Sequence, residues 1–152
     1  MIIQVNHPPT TEIDTLCWLF QVANSVVASF HPAPFVITAK PGLDEPDKQW
    51  LREFKAYLHD SYASPNLRVP DIAADFAMSE SSLLRQVKRL TGLTPAQCLR
   101  VVRLEQARNY LNNGTFGSIK QVAYAVGYNR TDNFTRNFKT RFGLLPSACL
   151  LR

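Results

Sequence analysis

Two short sets of polar and basic side chains in the second half of this chain have residue types and spacing suited to hydrogen-bond chemistry. The first set comprises Ser81, Ser82, Leu84, Arg85 and Lys88, and the second comprises Thr131, Asp132, Thr135, Arg136 and Lys139. Hydroxyl groups both donate and accept hydrogen bonds, and a guanidinium donates from a rigid fork that fits two neighbouring acceptors. If each set lies on a helix, it predicts a surface that fits the major groove of DNA, which combines negative charge with hydrogen-bonding base edges.

The elements that must position these side chains are encoded twice. Residues 72–78 align with residues 122–128 at an offset of 50. After one extra residue the alignment resumes at an offset of 51, which pairs Arg85 with Arg136 and Gly92 with Gly143. Internal repetition of this length indicates two copies of one structural unit.

Each copy has the hydrophobic spacing of a short helix followed by a turn and a longer helix. In the first copy, Ile72, Ala73, Phe76 and Ala77 are predicted to share one face of the short helix. The longer helices are predicted to pack inward through residues spaced three or four apart, namely Leu83, Val87 and Leu90 in one copy and Phe134, Phe138 and Phe142 in the other. Such spacing places side chains on one helical face.

Local signals mark the turns and the ends of these helices. Ser79 is a good N-cap residue, because its hydroxyl can accept from an exposed backbone N–H. Gly127 stands in the second turn, where a positive φ is predicted. Pro95 suits the first turn of a long helix between the copies, and the pair Asn113 and Gly114 predicts its end.

Residues at many fixed spacings, in both copies and between them, form a recognisable pattern. They are Ala73, Met78, Ser79, Leu83, Arg85, Lys88, Gly92, Pro95, Arg103, Leu104, Ala107, Leu111, Ile119, Val122, Ala123, Val126, Gly127, Tyr128, Phe134, Arg136, Phe138, Lys139, Phe142, Gly143 and Pro146. On these residues, together with Thr91, Thr94 and Ser147, the stretch from about Asp47 to Pro146 resembles the DNA-binding domain of AraC/XylS-type transcription regulators. The resemblance covers about two thirds of the chain.

The resemblance implies an all-α fold with two helix-turn-helix subdomains, each homeodomain-like, joined by one long helix. The implied bounds are about 69–91 for the first unit, about 95–113 for the joining helix and about 118–142 for the second unit, within a DNA-binding domain at 47–152. Residues 1–46 then form a short N-terminal extension. The implied function is a sequence-specific transcription regulator whose monomer covers two half-sites on double-stranded DNA, about 34 Å apart.

The positions that resemble the family's contact positions are candidates for reading bases: Ser81, Leu84, Arg85, Thr131, Asp132, Thr135 and Arg136. Candidates for holding phosphates, which set register without reading sequence, are Ser79, Ser82, Lys88, Arg130 and Lys139. Arg85 and Arg136 can each bind guanine through two hydrogen bonds. A phosphate contact or an intradomain salt bridge is the other interpretation of each arginine.

Several positions depart from the family's pattern, among them Leu84, Asp132 and Arg130. Leu84 either contacts a thymine methyl group or reads nothing. Asp132 can accept from cytosine, repel phosphates or favour the helix N-terminus electrostatically. Arg130 stands where a capping serine is usual, which leaves Asn129 or Thr131 as the predicted cap.

The first forty residues carry a separate helix signal. Thr11, followed three residues later by Asp14, fits a capping box, and apolar residues then recur at helical spacing, which predicts a helix over about 12–29. A short β-prone piece follows at 35–38. This extension either packs on the DNA-binding domain or dangles from it, acts as a dimerisation element, or is the remnant of a larger domain.

The net charge of +5 conceals an asymmetry along the chain. Residues 1–46 hold 1 cation and 4 acidic residues, a charge of −3, whereas the remainder holds 16 cations and 8 acidic residues, a charge of +8. Positive charge concentrated in the repeated part favours phosphate binding, because counterion release supplies affinity that does not depend on sequence.

The sequence shows no signature of a metal site, a cofactor site or a catalytic centre, so we expect none and predict that the chain is not an enzyme. Its histidines and cysteines are scattered, as His7, His31 and His59 and as Cys17, Cys98 and Cys149. They lack metal-ligand spacing and a C-x-x-C pair, which indicates buried or incidental thiols in a reducing compartment. With no secretion signal and no apolar run long enough for a bilayer, we expect a cytoplasmic protein without a membrane partner.

Double-stranded DNA is the predicted partner, with the chain as a monomer or a homodimer. Two other functions stay open at this stage. One is an architectural protein that binds DNA by charge with little sequence preference. The other is an interaction module that contacts RNA polymerase or another regulator.

Overall fold

The computed structural model describes residues 37–150, and the regular structure within that range is entirely helical. The helices are α1 (Glu45–Ser61), α2 (Val69–Asp75), α3 (Glu80–Thr91), α4 (Pro95–Asn112), α5 (Ile119–Ala125), α6 (Thr131–Phe142) and α7 (Pro146–Leu150). The all-α prediction is therefore confirmed for this range. The helix predicted over 12–29 lies outside the described residues. Ile37 and Thr38, from the β-prone piece, form no strand, and Ile37 is buried in a hydrophobic core instead.

The repeat in the sequence is a repeat in the structure. The helices α2 and α5 each have 7 residues and begin 50 positions apart, and α3 and α6 each have 12 residues and begin 51 positions apart. The extra residue lies in the second turn. Matching backbone bonds close both turns, since Met78 N–H donates to the Ala73 carbonyl at 2.8 Å and Tyr128 N–H donates to the Ala123 carbonyl at 2.9 Å.

Both turns contain a residue with a positive φ at the equivalent position, but the residue type differs. Gly127 has φ of +81°, which confirms the predicted positive φ, and Ala77 takes the equivalent position with φ of +52°. The prediction that Ala77 lies on the buried face of the first short helix is wrong, because α2 ends at Asp75 and Ala77 is exposed in the turn. A left-handed residue is required to reverse the chain there, and alanine adopts it at a cost that glycine avoids.

The predicted inward stripes are confirmed in both copies. Leu83, Val87 and Leu90 are fully buried, and they pack in one core with residues of α1 and α2. Trp50, Phe54, Tyr57 and Phe76 form an aromatic cluster on that core, with ring centroids 5.3 to 5.8 Å apart. Rings at this separation add attraction beyond their burial.

A second core surrounds Phe134, Phe138 and Phe142 of α6. Successive ring centroids are 5.6 and 4.6 Å apart, and Val122 and Val126 are buried against the same cluster. Each helix-turn-helix unit therefore has its own hydrophobic centre.

The joining helix α4 contributes to both cores. Its first half supplies Cys98, Leu99 and Val102 to the first core, and its second half supplies Leu104, Ala107 and Leu111 to the second. With 18 residues, α4 is about 27 Å long at a rise of 1.5 Å per residue. Because one continuous helix is anchored in both cores, the two units are held at a fixed separation.

Candidate nucleic-acid interface

The side of α3 that faces away from its core carries the predicted contact residues. Ser81, Arg85 and Lys88 are exposed, and Leu84 is 41% exposed. An exposed leucine among polar residues contributes nothing to the core, so its alkyl side chain is available to a thymine methyl group. The structure thus places these four first-copy candidates together on one surface.

Ser79 and Ser82 serve the start of α3. The Ser79 hydroxyl accepts from the Ser82 backbone N–H at 3.2 Å, as predicted for an N-cap, and donates to the Ser82 hydroxyl at 2.9 Å. Such a cap supplies a partner to a backbone donor that the helix itself cannot satisfy. Both hydroxyl groups therefore already hold local partners where the helix begins.

Four cations on the two outward faces make no ion pair within the described residues: Arg85, Lys88, Arg136 and Lys139. Other arginines of the same helices do, since Arg89 of α3 binds both carboxylate oxygens of Asp47, and Arg141 of α6 binds Glu105 at 2.6 Å. Within residues 37–150, therefore, neither Arg85 nor Arg136 forms the intradomain salt bridge that was the alternative interpretation of each. Cations without internal partners are the ones that an external polyanion can bind.

The start of α6 differs from the start of α3. Arg130 is its N-cap residue and makes no capping hydrogen bond, so the predicted cap at Asn129 or Thr131 is wrong. Arg130 instead donates two hydrogen bonds to the Asp132 carboxylate, at 3.1 and 2.8 Å. This pairing with Arg130, together with the Asn133 backbone N–H, lowers the pKa of Asp132. Asp132 is therefore an anion in the first turn of α6, where the helix dipole favours negative charge.

The rest of the α6 surface is polar and open. Arg136 and Lys139 are exposed, and Thr131 and Thr135 are half-buried beside them. Asn133 is exposed on the same helix, three residues before Arg136, and its side-chain oxygen accepts from Asn137 at 3.3 Å. Sequence reasoning passed over Asn133, although its amide belongs to the residue types that bind adenine edges. Its position between Asp132 and Arg136 was the available signal.

Arg103 of α4 connects the two units. Its Nε donates to the Tyr62 carbonyl at 2.9 Å and its Nη2 donates to the Ser64 carbonyl at 2.7 Å, so it satisfies the end of α1. The same guanidinium lies 6.0 Å from the centre of the Tyr128 ring, in the turn of the second unit. Burial lowers the pKa of Arg103, yet arginine stays protonated in proteins. The sequence marked this residue as part of the family pattern without indicating its task.

Gly127 lies directly against this junction. A Cβ at position 127 would stand 2.6 Å from the Tyr62 carbonyl oxygen and 3.0 Å from Arg103 Nε. The glycine therefore serves both the positive φ of the turn and the close approach of the first unit's backbone.

No arrangement for metal binding or thiol chemistry is found in the part of the chain that the structure describes. Within it, no three histidine, cysteine or acidic side chains cluster as metal ligands, and no helix has the length and apolarity to cross a membrane. Cys98 is buried, and burial raises the pKa of its thiol to about 11, which keeps the nucleophilic thiolate scarce. His59 is exposed, while His7, His31 and Cys17 lie outside the described residues.

Comparison with known proteins gives consistent matches. A helix-turn-helix domain family matches residues 72–152. The Msm operon regulatory protein of Streptococcus mutans is 27% identical over 146 residues, which cover 96% of this chain and 51% of that protein. The transcriptional activator RhaS of Escherichia fergusonii is 34% identical over 103 residues, which cover 68% of this chain and 36% of that protein. The chain thus spans about a third to a half of the length of these relatives.

Solved structures support the fold. A transcriptional regulator from Chromobacterium violaceum, described as containing an AraC-type DNA-binding domain, superposes with a TM-score of 0.63 at 23% identity, covering 71% of this chain and 95% of that one. At that identity the match bears on the fold alone. It agrees with two helix-turn-helix units joined by a long helix.

Proposed function

Since the chain belongs to the AraC-type family of helix-turn-helix DNA-binding domains, we propose that it regulates transcription by inserting α3 and α6 into successive major grooves of double-stranded DNA. The observation that carries the proposal is the pair of outward faces whose cations form no ion pair within residues 37–150, on two helices held by one continuous helix. Its family and named relatives are regulators rather than enzymes.

The spacing of the two units suits successive grooves. Neighbouring major grooves on one face of B-DNA are about 34 Å apart. The joining helix is about 27 Å long by its rise per residue, and each recognition helix lies beyond an end of it in the chain. A monomer can therefore cover two half-sites, and a homodimer is not required for this mode of binding.

Within this mode the residues divide by role. Arg85 and Arg136 read guanine through two hydrogen bonds each, aided by Ser81, Thr131 and Thr135. Leu84 contacts a thymine methyl group. Lys88 and Lys139, with the backbone at the helix starts, hold phosphates and set the register. Asp132 holds Arg130 at the start of α6, so these two residues act together.

We extend the proposal to activation of transcription, because relatives such as RhaS are named as transcriptional activators. RNA polymerase is the partner that this role requires. A reporter gene placed behind the selected binding site tests it, since an activator raises expression and a repressor lowers it.

Selection of binding sites from randomised duplex DNA, at physiological salt and with excess competitor, tests the DNA-binding proposal. Two enriched short motifs about one helical turn apart are expected. One enriched motif would mean that a single unit reads bases. No enrichment, with binding that disappears as salt rises, would replace the proposal with an architectural role.

A further inference from the structure

A polar cleft of about 400 Å³ separates the two helix-turn-helix units. One wall is the segment that leads into α2, and the opposite wall is the turn before α6 together with Asn133 and Asn137. The first half of α4 lies between them and contributes Arg100 and Arg103. The cleft thus lies at the junction of the two units, beside the start of a recognition helix.

The lining of this cleft is strongly basic. Four arginines line it, namely Arg68, Arg100, Arg103 and Arg130, and its lining includes no aspartate or glutamate. Two of them are occupied, because Arg103 binds carbonyl groups and Arg130 binds Asp132. The guanidinium groups of Arg68 and Arg100 form no ion pair within residues 37–150. Two cations in one cleft repel each other, and an anion bound between them offsets that repulsion.

One wall corresponds to an element that meets the DNA backbone in related units, and the other corresponds to the start of the helix that enters the groove. In homeodomain-like units the loop between the first two helices contacts the backbone, and the recognition helix enters the groove. Here the loop before α2 belongs to the first unit, and the start of α6 belongs to the second. When both units bind successive major grooves, the minor groove between those grooves, with the backbone strands on its two sides, faces the junction of the two units.

We propose that this cleft is a phosphate site for the DNA backbone between the two half-sites, with Arg68 and Arg100 as its ligands. The inference rests on the proposed function. The inferred site adds a phosphate contact between the two half-sites. This contact reads no base, and it is shared by the junction of the two units. Asn129 and Asn133 supply further donors at the rim of the cleft.

The first test is the salt dependence of binding to the selected site. The double variant Arg68→Gln/Arg100→Gln should lower the slope of log K against log salt by about 0.9 for each lost phosphate contact. The matched control Arg52→Gln/Lys55→Gln removes the same charge from α1, away from the cleft, and should keep the wild-type slope. An unchanged slope in the cleft variant would overturn the inference.

The second test locates the phosphate on the DNA. Neutral methylphosphonate linkages are placed either between the two half-sites or outside them. Linkages between the half-sites should weaken wild-type binding and should weaken the Arg68→Gln/Arg100→Gln variant much less, because the contact is already lost. Equal weakening of both proteins would contradict the assignment.

Failure of the proposed function and failure of the cleft inference give different results. If the wild type shows no preference for its selected site, the proposed function fails and this inference fails with it. If the wild type is specific and the cleft variant keeps its slope, only this inference fails.

A third test asks whether a free anion is the ligand. Inorganic phosphate is titrated into the DNA-free protein, and the Asn133 and Asn137 amide signals are followed by NMR. Saturable binding at submillimolar concentration would replace the DNA backbone with a small phosphorylated ligand.

Discussion

Arg85 and Arg136 are the two residues to which the proposed function assigns the most specific role. Both are exposed at corresponding positions of the repeat, and neither forms an ion pair within the described chain. A guanidinium in this position discriminates guanine by about 1–3 kcal/mol when both hydrogen bonds form.

Substituting either arginine by alanine is therefore expected to weaken binding to the selected site by roughly tenfold to a hundredfold. The loss should be much smaller on a site whose matching guanine is already replaced. Binding titrations on the paired sites measure this difference. Arg52→Ala is the control, and it should leave both affinities unchanged. Equal loss on all sequences would reassign the arginine to a phosphate.

Gly127 gives a stability prediction with a matched control in the same unit. Gly127→Ala combines a positive φ with a Cβ placed 2.6 Å from the Tyr62 carbonyl oxygen, whereas Gly143→Ala has a φ of +74° and no atom within 4 Å of the new Cβ. We expect Gly143→Ala to lower the free energy of unfolding by about 1 kcal/mol and Gly127→Ala to lower it by about 2–4 kcal/mol. Denaturant unfolding of both variants measures these losses. Equal losses of the free energy of unfolding would show that the Tyr62 carbonyl and Arg103 move aside at little cost.

At the scale of elements, Arg103 of α4 links the two helix-turn-helix units through direct contacts. It binds the end of α1 through two carbonyl groups and lies over the Tyr128 ring of the second unit. A lysine at this position keeps the charge but cannot reproduce the planar fork.

Arg103→Lys is expected to lower the free energy of unfolding by about 1.5–3 kcal/mol, the usual value of hydrogen bonds to a charged group. It should also broaden the half-site spacing that the protein accepts, because the junction between the units is loosened. Arg108→Lys is the control on the same helix, since Arg108 lies over Phe142 without a hydrogen bond to the other unit. A variant with wild-type stability and spacing preference would contradict the assigned role.

The contact between α1 and α4 also carries a pH signature. The hydroxyl groups of Tyr62 and Tyr110 are 2.8 Å apart, and burial, with the hydrogen bond to Tyr110, raises the pKa of Tyr62 to about 12. The unfolded value is about 10, so the folded state favours the neutral phenol. The stability from Tyr62 is therefore complete below about pH 10 and is lost as the pH rises through about 12.

Thermal unfolding between pH 9 and 12 tests this linkage. The wild type should lose stability more steeply than Tyr62→Phe, which has no phenol to ionise. Tyr124→Phe, with an exposed ring outside the junction, should follow the wild-type curve. Parallel curves for wild type and Tyr62→Phe would show that the tyrosine pair does not favour the neutral form.

The elements that could be predicted from the sequence are those with local and repeated signals. The buried stripe of Phe134, Phe138 and Phe142 follows from helical spacing, and the turn at Gly127 follows from the glycine itself, which adopts a positive φ readily. Ala77 was misplaced because a non-glycine residue with positive φ leaves no compositional signal. The junction at Arg103 and the basic cleft depend on contacts between distant segments, which spacing alone does not reveal.

The contact candidates show the same division. The outward direction of Arg85 and Arg136 could be predicted, because the inward positions of their helices were recognisable. The pairing of Arg130 with Asp132 was missed because arginine in a cap position suggested a neighbouring cap. Side chains two residues apart were not expected to bind each other across the start of a helix.

At the scale of the whole molecule, two small cores share one helix. The first half of α4 belongs to one core and the second half to the other, so neither recognition helix can shift without disturbing α4. A single continuous helix therefore sets the distance between the outward faces of α3 and α6. We expect this distance to stay fixed when the protein binds DNA.

Changing the spacing of the two selected half-sites tests directly whether the distance between α3 and α6 is fixed. Insertions of five and ten base pairs are compared with the selected spacing in quantitative binding assays. A fixed α4 predicts that both insertions weaken binding by about tenfold or more, because one half-site is lost in each case. Recovery of affinity at ten base pairs would mean that the units move independently along the DNA. Unchanged affinity at both spacings would mean that one unit alone reads the site, and would contradict binding by two units held at a fixed distance.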